Sequence, residues 1–137
     1  MWPFLEGSPT MPLTIVNTLG SERKERTASV TAVIDTGYSG FVLLSERLFN
    51  RLGFDELMNE NTSGRLADGS LLRMRSTYGT LRISDLELDL HGVVETCKGA
   101  ETTLLGMDGI QGLALTIDSC AQESSARMCV LGGYPIA

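Results

Sequence analysis

Several residue types that build functional sites are scarce in this chain of 137 residues. Its three cysteines, Cys97, Cys120 and Cys129, are odd in number and form no CxxC pair, so the sequence predicts neither a metal site nor a disulfide framework. We expect a reducing, cytoplasmic location on this ground. Lys and Arg together number 11 against 17 Asp and Glu, which gives a net charge of −6. Because nucleic-acid affinity depends on clustered positive charge, no nucleic-acid partner is expected.

Long apolar segments are also missing from the sequence. No stretch approaches the roughly 18 consecutive apolar residues of a membrane span, and residues 1–7 lack the basic segment and apolar run of a signal peptide. We therefore expect no membrane partner. The chain is nevertheless 42% hydrophobic, which at this length suffices for one compact domain with its own core.

The sequence does contain a series of short apolar segments with the spacing of strands. The clearest covers residues 28–34, where apolar and small polar residues alternate before the segment ends on Asp35. Many short strands with one or two short helices indicate a β-barrel or a β-sandwich. The other predicted strands cover residues 12–18, 41–44, 81–83, 86–90, 93–94 and 113–117.

Two local signals place a helix and a hairpin between these strands. Ser45 is a helix-capping residue type and Gly53 a helix-stopping one, so a helix of about two turns is predicted between them. Within residues 65–72, Asp68 is followed by Gly69 and flanked by apolar residues, which is the pattern of a hairpin turn.

The loop after the strand at residues 28–34 carries the strongest chemical signal. Peptide hydrolysis by paired carboxylates needs two groups that share a proton: the ionised one activates a water, and the neutral one donates a hydrogen bond to the substrate carbonyl. Asp35 enters a tight loop where the Thr36 hydroxyl can hold the backbone and Gly37 allows close approach of a second carboxylate or a peptide. From the residues alone, the alternative is an Asp35 that only caps a turn.

The residues Ile34, Asp35, Thr36 and Gly37 resemble the catalytic loop of retropepsin-like aspartic proteases, a family that includes viral proteases. The longer string at residues 34–41 is especially similar to small bacterial and cyanobacterial members. The predicted hairpin resembles the flap of that family. A later apolar-apolar-Gly motif also resembles the family pattern, and it consists of Leu104, Leu105 and Gly106.

The resemblance implies an all-β fold, a retropepsin-like closed β-barrel with a flap hairpin and one or two short helices. It covers residues 11–118, which leaves residues 1–10 as an N-terminal arm and residues 119–137 as a C-terminal tail. Trp2, in the arm, is expected to be exposed or to pack against a second subunit.

The resemblance also implies an aspartic endopeptidase that needs no metal and no cofactor and acts on a peptide or protein substrate. Because the chain has a single Asp-Thr-Gly, it implies a homodimer whose two Asp35 carboxylates meet at the two-fold axis. Thr36 and Gly37 would support the catalytic loop, and the apolar-apolar-Gly motif would pack behind it. The expected substrate-binding residues are Tyr38, Ser39, Leu66, Ala67, Asp68, Gly69, Ser70 and Leu71.

Two departures from the family pattern keep a second interpretation open. Tyr38 stands where most members carry Ala or Ser, and Gly109 and Gly112 weaken the helix expected after the apolar-apolar-Gly motif. The alternative is a catalytically silent retropepsin-like module for dimerisation or peptide binding, which a Tyr38 ring across the two carboxylates would favour. His91, beside a glycine, is predicted to be a turn or surface residue, so a serine or cysteine protease built on it is not expected.

Overall fold

The computed structural model of the protein describes residues 1–18, 25–57, 59–65, 68–131 and 134–136. Within these ranges two short α-helices and two single-turn 3₁₀ segments accompany the strands, and no helix is long and apolar enough to span a membrane. The helices are α1 (Glu46–Arg51) and α2 (Met107–Ile110), and the 3₁₀ segments cover Phe54–Glu56 and Ser84–Leu86. The strands are β1 (Trp2–Pro3), β2 (Thr10–Asn17), β3 (Arg26–Ile34), β4 (Val42–Leu43), β5 (Glu60–Arg65), β6 (Leu71–Ile83), β7 (Leu88–Cys97), β8 (Leu104–Leu105), β9 (Leu113–Asp118), β10 (Glu123–Leu131) and β11 (Tyr134–Ile136).

Seven strands form one sheet in the order β2-β3-β8-β4-β7-β6-β5, and β6 also pairs with β2. This additional pairing joins the two ends of a six-stranded path, so the sheet closes into a ring. The mostly β fold with short helices is therefore confirmed. Two-residue strand β8 lies between β3 and β4, parallel to the first and antiparallel to the second.

The core fills the interior of this ring and the space beneath α1. Phe49 of α1 and Phe54 are both fully buried, with ring centroids 5.6 Å apart. The Ser45 side chain caps α1 by accepting a hydrogen bond from Leu48 N at 3.2 Å, and Gly53 follows the helix with a φ of 78°. The helix signals read from the sequence are thus confirmed, because both depend on local chemistry.

Strands β6 and β7 are longer than the sequence predicts, and the turn predicted at His91 is wrong. They pair without interruption from Met74↔Cys97 to Ile83↔Leu88, so His91 lies inside a strand, opposite Thr80, although its side chain is exposed as predicted. Gly92 is needed there because a Cβ would lie 2.6 Å from Phe41 Cγ. The His-Gly pair therefore marks close packing and not a chain reversal.

The two terminal segments pair with each other. β10 forms a small sheet with β1, β9 and β11, and the Phe4 N–H donates to the Gln122 carbonyl oxygen at 2.8 Å. Trp2 is 8% exposed and its Nε1 donates to Asp85 Oδ2 at 2.7 Å, so the expectation of an exposed or subunit-bound Trp2 is wrong in this structure. The division of the chain at residues 10 and 118 stays a prediction.

Candidate active site

Asp35 follows the last residue of β3 at the point where β3 runs beside β8. Its N–H donates to the Leu105 carbonyl oxygen at 3.0 Å, which extends the parallel β3–β8 pairing by one more bond. The Asp35 side chain is half-buried, and its Oδ1 accepts a hydrogen bond from Gly37 N at 2.9 Å. The carboxylate is therefore held by its own loop and still reaches solvent.

The segment that begins with Gly106 is bonded through its backbone to the loop at residues 35–41, which is called the Asp35 loop below. The N–H groups of Gly106, Met107 and Asp108 donate to the carbonyl oxygens of Phe41, Tyr38 and Gly40 at 3.0, 2.8 and 3.1 Å. These three consecutive bonds fix the backbone of the loop that carries the carboxylate.

Gly106 is placed where no larger residue fits. A Cβ at this position would overlap the Gly40 carbonyl oxygen and lie 2.6 Å from Tyr38 Cδ2. Leu105, just before it, is fully buried, while Leu104 is only partly buried and lies at the edge of the cleft described below. Gly106 therefore packs against the loop and Leu105 against the core, while Leu104 contributes an apolar side chain to the cleft.

Tyr38 is anchored at the side of the loop by a residue that the sequence did not single out. Its hydroxyl donates to Glu95 Oε1 at 2.5 Å, and a Cβ at Gly40 would overlap that hydroxyl. Burial, the hydrogen bond to Glu95 and the negative charges of Glu95 and Asp108 raise the pKa of Tyr38 far above its ordinary value. Glu95 was missed because it lies 57 positions along the chain from Tyr38 and no local pattern marks it.

The raised pKa of Tyr38 predicts a specific loss of stability in alkaline solution. The folded protein holds the phenol proton more tightly than the unfolded chain, so this contribution is complete below the unfolded pKa of about 10 and is lost as pH rises above it. Between pH 10 and 11 we expect the free energy of unfolding to fall by about 0.5 kcal/mol more in the wild type than in Tyr38→Phe, which is the full linkage value of about 1 kcal/mol reduced for partial solvent exposure.

Urea unfolding of both proteins between pH 8 and 11 measures this difference. Tyr78→Phe, which removes an exposed phenol on β6, is the matched control and should follow the wild type. Parallel curves for wild type and Tyr38→Phe would contradict the assigned environment of Tyr38.

A cleft of about 360 Å³ opens between the Asp35 loop and the part of the β5–β6 hairpin near its tip, where Gly64 pairs with Leu72. Asp35 and Tyr38 lie on one side, and residues of β5 and β6 lie on the other. The lining residues are Asp35, Gly37, Tyr38, Ser39, Gly40, Leu43, Ser63, Gly64, Leu72, Met74, Glu95 and Leu104.

The predicted substrate-binding residues divide into two groups. Tyr38 and Ser39 line the cleft, whereas Asp68, Gly69, Ser70 and Leu71 are exposed at the hairpin tip and outside its lining. Asp68 Oδ1 accepts hydrogen bonds from Ser70 N and Oγ at 2.9 and 2.6 Å, which lowers the pKa of Asp68 and fits a turn-forming role. Leu66 and Ala67 lie outside the described residues. Thr36 is exposed.

The comparisons with known proteins agree with this geometry. The family model described as "gag-polyprotein putative aspartyl protease" matches residues 24–111. The chain belongs to this family. An uncharacterised protein of the archaeon Archaeoglobus fulgidus is 31% identical over 126 residues, which cover 92% of this chain and 98% of the relative.

Two solved structures are similar to this aspartyl protease family member. EIAV protease in complex with the inhibitor HBY-793 superimposes with a TM-score of 0.55 at 20% identity, over 78% of this chain and 88% of the viral one. The retroviral protease-like domain of Ddi1 from Leishmania major gives a TM-score of 0.49 at 16% identity, over 81% of each chain. The first likeness shows that the fold is retropepsin-like, which confirms the resemblance seen in the sequence.

The surroundings of Cys97 disfavour a site built on this cysteine. Cys97 is buried, and burial together with the charges of Glu46 and Glu95 raises the pKa of its thiol, so the reactive thiolate is disfavoured. His91 lies six residues away on the same strand, about 20 Å at strand spacing, which is too far for a catalytic pair. No group of three or more His, Cys, Asp or Glu side chains among the described residues is placed to hold a metal ion.

Proposed function

We propose that the protein is an aspartic endopeptidase that hydrolyses peptide bonds with a pair of Asp35 carboxylates, one from each subunit of a homodimer. The observation that carries the proposal is the Asp35 carboxylate itself, which accepts a hydrogen bond from Gly37 N at 2.9 Å and belongs to a residue that lines a cleft of about 360 Å³. The chain contains one Asp-Thr-Gly sequence, so the second carboxylate has to come from a second copy.

The chemistry needs no group other than these carboxylates and water. The ionised carboxylate removes a proton from a water molecule as the oxygen attacks the peptide carbonyl carbon, and the protonated carboxyl donates to the carbonyl oxygen. The tetrahedral intermediate then breaks at the C–N bond, and a carboxyl proton is transferred to the leaving nitrogen. The products are a carboxylic acid and an amine, and the pair returns to its singly protonated state.

The surrounding residues support this role without reacting. The bonds from residues 106–108 hold the loop, so that Asp35 does not have to reorganise during the reaction. The β5–β6 hairpin contributes lining residues to the cleft and would act as a flap, whose closure would exclude water from the bound peptide. Tyr38 is tied to Glu95 in the cleft wall, which favours the enzyme over a silent module in which the ring lies across the carboxylates.

The three unpaired cysteines, Cys97, Cys120 and Cys129, favour a reducing, cytoplasmic compartment for this enzyme.

Subunit mixing tests the shared active site directly. If every active site needs Asp35 from both chains, adding an equal amount of Asp35→Asn protein should lower the activity per wild-type subunit to about half after free exchange. Inhibitors with a hydroxyl in place of the attacking water should block the activity, and chelators and thiol reagents should not. Turnover of a peptide mixture, read by mass spectrometry, is the measurement.

Two controls make the mixing experiment interpretable. Energy transfer between wild-type and variant subunits that carry different fluorescent labels establishes that subunits exchange, and adding wild-type protein instead of the variant must leave the specific activity unchanged. Activity per wild-type subunit that does not fall with the variant would show that one chain suffices, which contradicts the shared site. A dimer that binds peptides and never cleaves them would favour the silent module.

A further inference from the structure

A side-chain hydrogen bond ties the Asp35 loop to strand β7, in addition to the backbone bonds from residues 106–108. The Tyr38 hydroxyl donates to Glu95 Oε1 at 2.5 Å, and both residues are half-buried in the wall of the cleft. A hydrogen bond to a carboxylate is shorter and about twice as strong as one between neutral groups. The bond therefore fixes the loop firmly to a strand from a distant part of the sequence.

Glu95 stands on a strand that is paired on both sides. Its neighbours in the sheet are Leu43 of β4 and Ser76 of β6, and its carbonyl oxygen accepts a hydrogen bond from Leu44 N at 2.8 Å. The backbone at Glu95 cannot shift without disturbing these pairings. Glu95 is therefore a rigid point of attachment for a side chain of the loop.

The space for this hydrogen bond depends on two glycines. A Cβ at Gly40 would overlap the Tyr38 hydroxyl and lie 2.6 Å from Glu95 Oε1. A Cβ at Gly106 would lie 2.6 Å from Tyr38 Cδ2, at the other end of the ring. The absence of a side chain at these two positions thus leaves the space that the Tyr38 side chain occupies.

The backbone connects Tyr38 directly to the carboxylate of Asp35. The Tyr38 N–H donates to the Asp35 carbonyl oxygen at 3.2 Å and closes a turn, and the Gly37 N–H within that turn donates to Asp35 Oδ1 at 2.9 Å. A displacement of Tyr38 would therefore move the donor that orients the carboxylate. Misplacement of a reacting group by about 1 Å can lower a rate about a hundredfold.

The phenol keeps its proton under the conditions in which a carboxylate pair can work. Burial, the hydrogen bond to Glu95 and neighbouring negative charges raise the pKa of Tyr38 far above its ordinary value. The hydroxyl is therefore a donor at any pH at which two carboxylates share one proton.

We propose that Tyr38, held by Glu95, is a positioning residue that keeps the Asp35 carboxylate in the orientation needed to activate water. Neither side chain exchanges a proton with the substrate, because the effect passes through the turn at Asp35. This inference rests on the proposed endopeptidase function and adds to it two residues that set its rate. It also gives a role to a tyrosine that stands where most family members carry Ala or Ser.

A double-mutant cycle on kcat tests the positioning role. Tyr38→Phe keeps the ring and removes the donor, and Glu95→Ala removes the acceptor. We expect each substitution to lower kcat about tenfold and to leave KM within about twofold of the wild type, because the orientation of Asp35 changes and not the binding of substrate. The double variant should also lose about tenfold and not about a hundredfold, since the two residues act through one bond.

Glu95→Gln is the matched variant because its amide oxygen can still accept the Tyr38 hydroxyl, so kcat should stay within about threefold of the wild type. Tyr78→Phe, which removes an exposed phenol from β6, should leave kcat unchanged. Single-turnover kinetics establish that the cleavage step limits kcat in each protein.

Three results would overturn the inference and leave the endopeptidase proposal standing. The first is a wild-type kcat in Tyr38→Phe, and the second is a loss of about a hundredfold in the double variant. The third is a raised KM with an unchanged kcat, which would show that the hydroxyl contacts the substrate. If Glu95→Ala fails to fold, Tyr38→Phe and Glu95→Gln decide, because equal kcat values in these two variants contradict a role for the hydrogen bond.

Hydrogen exchange separates the two proposals if no peptide is cleaved. The backbone amides of residues 37 and 38 both donate to Asp35, so in Tyr38→Phe we expect them to exchange about tenfold faster than in the wild type, as measured by NMR. In Glu95→Gln they should exchange near the wild-type rate. This result would support the positioning of Asp35 while contradicting the endopeptidase. Equal exchange in the wild type and Tyr38→Phe would overturn the inference in this case as well.

Discussion

Replacing Asp35 with asparagine is expected to reduce peptide cleavage about a thousandfold or more, because an amide can neither ionise to activate water nor share a proton with its partner. The fold should remain. Asparagine has nearly the same shape, and its carbonyl oxygen can still accept the 2.9 Å hydrogen bond from Gly37 N. Steady-state kinetics on a cleaved peptide, with thermal unfolding and sedimentation on the same preparation, measures both effects.

Asp55→Asn is the matched control for this substitution. Asp55 is exposed in the 3₁₀ segment after α1, and the same loss of charge there should leave cleavage near the wild-type level. If Asp35→Asn retained wild-type turnover, the carboxylate would not take part in the chemistry and the assignment of the active site would fail.

The second large effect is expected for Gly106→Ala, which should lower the free energy of unfolding by about 3 kcal/mol. The added Cβ would overlap the Gly40 carbonyl oxygen and lie 2.7 Å from the Tyr38 carbonyl oxygen. Both are backbone atoms of the Asp35 loop, so the strain can be relieved only by moving the loop that carries this carboxylate. Cleavage should therefore be lost together with stability. Urea unfolding and kinetics of the variant measure the two losses.

Gly99→Ala is the control that separates the cost of steric crowding from the cost of a left-handed backbone conformation. Gly99 has a φ of 84°, and a Cβ there meets no atom within 4 Å, so an alanine should cost only the left-handed conformation, about 1 kcal/mol. It should not affect cleavage. If the two substitutions lowered the free energy of unfolding equally, the close packing of Gly106 against the loop would not contribute to stability as argued.

The sequence predicts strand β3 and helix α1 well because their signals are local. Apolar and polar residues alternate over residues 28–34, as they do in any strand that buries one face. The structure has a strand at Arg26–Ile34. The Ser45 cap needs only the N–H of Leu48, three residues away. The signal for the turn at Asp68 and Gly69 is also local, and Gly69 has the positive φ that such a turn needs.

The cleft wall could not be predicted because it depends on contacts between distant strands. Glu95 reaches Tyr38 only because β7 runs beside β4, a pairing between residues about fifty positions apart for which no local residue pattern exists. Likewise Gly64 and Met74 reach the cleft through the register of the β5–β6 hairpin, where the sequence indicated only its tip. The residue pattern therefore identified Asp35 but did not identify the residues from distant strands that line the cleft beside it.

The pairing of β1 with β10 has a consequence for how the molecule forms during translation. Trp2 is opposite Ser124, and the Ser124 hydroxyl donates to the Thr10 carbonyl oxygen at 2.8 Å across 114 positions of sequence, so β1 cannot pair until β10 has been synthesised. Until then the ribosome-bound chain lacks the strand that pairs with β1, and the surroundings of Trp2 are incomplete. A nascent chain of this protein should therefore stay open to chaperones and proteases until β10 has left the ribosome, and the pairing of β1 should be a late step in the maturation of the domain.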